Sequence, residues 1–147
     1  MIQFTVYGKP QPQGSSRAFM IKGRPVITSS NKKLKPYRQE IAQTALEARD
    51  KNIAPSGLPV EMVFGKHEPV VLEVNFFMTK PPSVPKKRTQ LVVKPDLDKL
   101  IRAVNDALTG IIFLDDAQVV QVRATKNYGA PERTVIMVKA FEEEEDD

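Results

Sequence analysis

The stretch Lys94-Pro95-Asp96-Leu97-Asp98-Lys99-Leu100-Ile101-Arg102-Ala103-Val104-Asn105-Asp106-Ala107-Leu108-Thr109-Gly110 decides the fold. Leu97, Leu100, Ile101, Val104, Leu108 and Ile111 recur at helical spacing and make one apolar stripe. Asp98, Arg102 and Asp106 lie four apart on another face, and Gly110 is a natural stop. A helix over Asp96–Thr109 is therefore predicted. It follows the strongest strand of the chain, Val70–Met78, and precedes two strand-like runs, Ala117–Ala124 and Thr134–Phe141, expected to form a terminal hairpin.

Working towards the N-terminus, Ile2, Phe4 and Val6 alternate with polar residues and read as a strand. Ala18–Ile21 and Pro25–Thr28 flank Lys22-Gly23-Arg24 as a short hairpin. Ser29, Ser30 or Asn31 is positioned to cap a helix running from Leu34 or Pro36 to Asn52, and Pro55-Ser56-Gly57 ends it. Val60–Phe64 is a weak strand candidate. The order β, ββ, α, β, α, β, β predicts an α+β fold, a mixed or antiparallel sheet covered on one face by two helices. At 147 residues the expectation is one domain over residues 1–141, followed by a disordered acidic tail, residues 142–147.

The chain has no Cys, which excludes disulfides, thiolate metal sites and a Cys nucleophile. Its one histidine, His67, has no second His to complete a zinc site. No P-loop glycine pattern is present. No apolar run approaches the roughly 20 residues that span a bilayer, and Met1–Tyr7 reads as a strand, not a signal peptide. A cytoplasmic location is expected. Net charge is +4, but all six residues of the tail are acidic. Residues 1–141 carry 22 basic against 12 acidic side chains, a net of +10. Such a body suits a polyanion, because neutralising phosphates releases counterions. The basic loop Lys80–Arg88, with Lys86, Lys87 and Arg88 at its end and three prolines that forbid regular structure, reads as a flexible electropositive arm. Arg17, Lys94, Lys99 and Lys126 are further candidates for DNA contact.

Two carboxylate pairs bracket the predicted helix, Asp96 with Asp98 and Asp115 with Asp116. A hard dication such as Mg²⁺ takes carboxylate oxygens and completes its octahedron with water and phosphate. One acid at a helix start is also a cap, and an acidic pair before a strand is also a turn. For a shared site, the chain after Gly110 must run back along the helix, and five extended residues reach at most about 18 Å. A homodimer offers a second route. Arg102 is placed either to bind a pentacovalent phosphate or to pair with Asp98 or Asp106.

Pro95-Asp96-Leu97-Asp98-Lys99-Leu100, then Asp106-Ala107-Leu108, then Asp115-Asp116-Ala117-Gln118-Val119, with Gly8-Lys9-Pro10 after the first strand, resembles the signature of the RusA family of Holliday-junction resolvases. The resemblance is strongest over residues 94–127. It implies a RusA-like fold and a small homodimeric endonuclease that binds branched DNA, the four-way junction, and places paired nicks with Mg²⁺ or Mn²⁺. The family's metal-binding acids fall on Asp96, Asp98 and Asp116, with Asp115 an adjacent acid. Its lysine in the central helix falls on Arg102, which keeps the charge but not the shape or titration of Lys. Lys99, standing where Asn is common, is another candidate cation. The resemblance also implies a phage or prophage origin. A less selective branched-DNA or flap nuclease and a non-catalytic junction-binding protein are the alternatives.

Overall fold

A computed structural model describes residues 1–14, 17–28, 31–51 and 63–144. In it, β1 (Ile2–Tyr7) is followed by a hairpin of β2 (Arg17–Ile21) and β3 (Arg24–Thr28), then α1 (Leu34–Asp50), β4 (Val70–Met78), α2 (Leu97–Leu108), β5 (Val119–Tyr128) and β6 (Arg133–Ala140). The element order matches the sequence expectation. The proposed caps Ser29 and Ser30, the helix-ending Pro55–Gly57 and most of the Val60–Phe64 strand candidate lie outside the described residues.

Strand and helix periodicities converge on one core. Ile2, Phe4 and Val6 of β1, Val70, Leu72, Val74, Phe76 and Met78 of β4, and Ile136 and Val138 of β6 turn inward. Two helical stripes meet them: Leu34, Tyr37, Ile41 and Ala45 from α1, and Leu100, Ala103, Val104, Ala107 and Leu108 from α2. Tyr37 carries its hydroxyl inside, 2.6 Å from the buried Thr134 Oγ1, and burial pushes its ionisation above the usual phenol range. The four-stranded sheet runs β1-β6-β4-β5, with β4 antiparallel to β6 and parallel to β5. This is the mixed α+β arrangement.

The expected terminal hairpin does not form. β5 and β6 lie on opposite sides of β4, because α2 carries the chain from β4 to β5 as a parallel crossover. Residues 129–132 then pass over the end of β4, where Gly129 N–H donates to Met78 O at 2.9 Å. A Cβ at Gly129 would stand 2.9 Å from Phe77 Cδ1, so any larger residue would have to push the Phe77 ring aside.

The crossover also orients the candidate site. α2 runs antiparallel to β4 and β5, so its N-terminus stands at the C-terminal ends of those strands. Lys126 Nζ, late in β5, donates to Val93 O at 2.6 Å and Pro95 O at 3.0 Å, just before α2. At the opposite end, Gln118 Nε2 donates to Gly65 O and Glu68 O, just before β4.

Candidate functional site

At the start of α2, Asp96 occupies the N-cap position with extended backbone, yet its side chain makes no capping hydrogen bond. The capping reading therefore fails for this residue. Its carboxylate instead lies 3.3 Å from Lys99 Nζ, and both side chains are about half exposed, 46% and 43%. Asp98, in the first turn, is exposed. Arg102, one turn on, is also exposed, and neither Asp98 nor Asp106 approaches it as an ion pair among the described residues. The loop after β1 closes over this end, with Gln13 N–H donating to Lys99 O at 3.0 Å. Between loop and helix lies a cleft of about 440 Å³ lined by Lys9, Asn31, Lys94, Asp96 and Lys99.

The second acidic pair has a different local role. Asp115 Oδ1 accepts from Ala117 N–H at 2.9 Å, while Gln118 Oε1 accepts from the N–H of Asp115 at 3.1 Å. This reciprocal capping box starts the 3-10 turn Asp116–Gln118, which feeds β5. Asp115 thus has a structural task. Asp116 is exposed, and its carboxyl is raised above the ordinary range, first by its hydrogen bond with Asp115, then by partial desolvation, then by the charges of Asp115 and Asp106. Asp106, late in α2, accepts from Gln13 Nε2. Gln13 therefore ties the loop to both halves of the helix.

The two acidic pairs do not converge within one chain. Instead of returning along α2, the chain turns at Gly110, whose φ is +84°, and buries Ile112 and Phe113 completely beneath the helix end. Phe64 N–H, donating to Ile112 O at 3.0 Å, holds this segment in place. Burial of two large apolar side chains outweighs an extended return path. Asp115 and Asp116 consequently sit where β5 begins, and Asp96 and Asp98 where it ends. The seven residue-to-residue steps from Val119 to Lys126 alone span about 23 Å. Among the described residues, no three His, Cys, Asp or Glu side chains gather closely enough to hold a metal ion. The donor chemistry suits Mg²⁺, which commonly uses one or two carboxylates with phosphate and water. The three-acid cage expected of Asp96, Asp98 and Asp116 does not close in a single protomer.

The candidate DNA contacts divide in the same way. Lys86, Lys87 and Arg88 are exposed. Their loop is not a free arm: Val84 N–H donates to Pro81 O and Arg88 N–H to Pro85 O in consecutive turns, and Lys80 Nζ ties the ends together through Lys86 O and Arg88 O. Lys94 is exposed beside the cleft, and Lys99 is engaged by Asp96. Lys126 spends its ammonium on the carbonyls before α2, so it positions Asp96 through the backbone. Arg17 belongs to β2, and its side chain lies outside the described residues. A further basic surface escaped the motif reading: Lys32, Lys33, Lys35 and Arg38 crowd the start of α1, which carries no acidic residue in its first turn. The signal was visible as four cations in seven residues.

No helix among the described residues is long and apolar enough to cross a membrane. A sequence model of the family described as "Endodeoxyribonuclease RusA" matches residues 7–139, nearly the whole chain. The chain is also similar to a Bacillus subtilis (strain 168) protein, the uncharacterized protein YqaN, at 32% identity over 138 residues, covering 94% of this chain and 95% of that one.

Proposed function

The chain belongs to the RusA endodeoxyribonuclease family, and from that premise we propose that it is a Mg²⁺-dependent endonuclease that resolves four-way DNA junctions by paired symmetric nicks. The observation that carries this reading is the state of Asp96 and Asp98. Both carboxylates stand at the exposed start of α2, with no capping hydrogen bond from Asp96, beside Lys94, Lys99 and the exposed Arg102. Exposed acids next to exposed cations suit a dication and the phosphodiester it faces.

In this reading Asp96 and Asp98 would hold the metal at the start of α2, and Asp116, which stands apart from them within one protomer, would join them only from a second copy. A bound dication supplies a polarised water and charge neutralisation at the phosphate. Arg102 holds non-bridging phosphate oxygens with its planar fork of donors. As a guanidinium it stabilises charge developing at the phosphate. Lys86, Lys87, Arg88 and Lys94 hold the DNA backbone. A homodimer matches the substrate, since a four-way junction offers two equivalent strands to a closed two-fold assembly.

The test is incubation of purified protein with labelled four-way junction or linear duplex, in Mg²⁺ or EDTA. Symmetric nicks in the junction alone, absent in EDTA, are expected. Equal cutting of duplex identifies a less selective nuclease, and tight binding without cleavage identifies a binding protein.

A further inference from the structure

Two clefts on the helical side of the molecule share a wall. The one beside Asp96, lined by Lys9, Lys94 and Lys99, reaches Asn31. From Asn31 a second cleft of about 510 Å³ continues between α1 and α2, lined by Lys35 and Arg38 from one helix and Asp106 and Thr109 from the other. Because Asn31 lines both, the two form one groove that follows α2 from start to end. At 1.5 Å per residue, Asp96 to Thr109 makes it about 20 Å long.

Hydrogen bonds fix the walls of this groove. Asn31 Nδ2 donates to Gln11 Oε1 at 3.2 Å and to Pro12 O at 3.1 Å, while Asn31 Oδ1 accepts from Lys33 N–H at 3.1 Å. Gln13 pins the same loop to Lys99 O and to the Asp106 carboxylate. The loop after β1 is therefore a strap across the starts of both helices, and it sets the cations of α1 at a defined distance from Asp96 and Asp98.

The groove is cationic. Lys9, Lys94, Lys99, Lys35 and Arg38 line it against Asp96 and Asp106. Asp96 is already 3.3 Å from Lys99, and Asp106 accepts the Gln13 amide. Lys32 and Lys33 stand exposed beside Asn31. Among the described residues, none of Lys32, Lys33, Lys35 and Arg38 makes an ion pair. Such a cluster is unfavourable for the fold itself, since cations at a helix start oppose its dipole and like charges one turn apart repel. A polyanion outside the protein reverses both effects.

We propose that this groove holds the sugar-phosphate backbone of one duplex arm as it leaves the branch point, with Lys35 and Arg38 gripping its distal phosphates. This rests on the DNA-binding part of the reading above and assigns that binding a path. The register follows from the groove's length. Asp106 and Thr109 lie about 15 and 20 Å along α2 from Asp96, which is about four to six nucleotides at 3.4 Å each. The strand presented to Asp96 and Asp98 is thus continued along α1, and the strap holds the path ready before DNA arrives.

Gel shifts of the full-length protein in EDTA, which separate binding from cleavage, test the path. In one four-way junction, neutral methylphosphonates replace the phosphates four to six from the branch in every arm. Wild type is expected to bind it on the order of tenfold more weakly than the all-phosphate junction. The variant Lys35→Gln with Arg38→Gln is then compared with the charge-matched Lys51→Gln with Lys139→Gln, at the far end of α1 and on the opposite sheet face. The groove variant should lose the discrimination between the two junctions. Its slope of log K against log salt should fall by up to about 1.8, about 0.9 per phosphate. The control pair should keep the discrimination. Equal binding of both junctions by wild type, a groove variant that still discriminates, or one indistinguishable from the control overturns the path. A wild type that discriminates in EDTA yet nicks neither junction in Mg²⁺ removes the nuclease reading and leaves the path standing, and one that binds no junction overturns both.

Discussion

Asp98 and Arg102 sit on successive turns of α2, both exposed and without a carboxylate–cation contact between them. That absence decides what each substitution should do. If Asp98 binds the metal as proposed, Asp98→Asn removes that ligand's charge without altering the basic surface, so cleavage should be lost while junction binding in a gel-shift assay persists. Arg102→Ala breaks no ion pair among the described residues. It should lower the single-turnover cleavage rate on the order of a hundredfold, as loss of a transition-state donor does, with a smaller change in binding; an unchanged rate would return Arg102 to the surface. Asp116 adds a stability signature. Its folded carboxyl is raised, so the folded state holds that proton more tightly than the unfolded chain does. Stability contributed by the proton is present below the ordinary Asp range and is lost as pH rises to the raised value. Asp116→Asn should therefore unfold at a higher temperature than wild type near neutral pH, with the advantage vanishing in acid and shrinking in high salt. Asp96 and Asp98 were legible as acids at the start of a helix. Asp115 was legible only as half of a pair, because its capping of Ala117 depends on Gln118 folding back, a local geometry that residue types permit but do not impose.

Among the elements, β1, β4, both helices and the β2–β3 hairpin could be read from periodicity, since a period of two or 3.6 states which residues share a face. Periodicity carries no information about which strand lies alongside. The two strands after α2 read as a hairpin for that reason, and the parallel crossover that separates them is set by α2 packing on the sheet. The same limit bears on the second acidic pair: a shared site within one chain required the residues after Gly110 to run back along the helix, but complete burial of Ile112 and Phe113 anchors the segment at the far end. Loop 80–88 is a case where composition exaggerated freedom. Lys80 donates to the carbonyls of Lys86 and Arg88, so the three cations at the loop end are held in a defined place. Replacing Lys86, Lys87 and Arg88 together with Gln should weaken DNA binding uniformly across sequences and reduce the slope of log K against log salt by up to roughly 2.7, about 0.9 per phosphate contact. A slope equal to wild type would mean that none of the three neutralises a phosphate.

At the scale of the whole molecule, charge is divided between a basic body and an acidic end, and the fold places the two close together. Phe141 N–H donates to Pro69 O at 2.9 Å, so the chain leaves the sheet beside the start of β4. From there Glu142 and Glu144 line a groove with Arg123 and Lys139 on the sheet face opposite the helices. Glu73 already sits between those two cations, 3.6 Å from Arg123 Nη1 and 3.5 Å from Lys139 Nζ. The tail thus adds negative charge to a region whose cations are partly neutralised, and its effect on DNA is felt through the field of the entire protein. Removing residues 142–147 takes the net charge from +4 to +10. Linear duplex, which is held by phosphate contacts alone, should respond most. The truncated protein is expected to bind duplex more tightly at low salt, to converge on wild type as salt rises, and to lose preference for the junction, because the added attraction is blind to branching. Competition between labelled junction and unlabelled duplex measures that preference directly; equal preference with and without the tail would show that these six acids do not compete for the DNA surface.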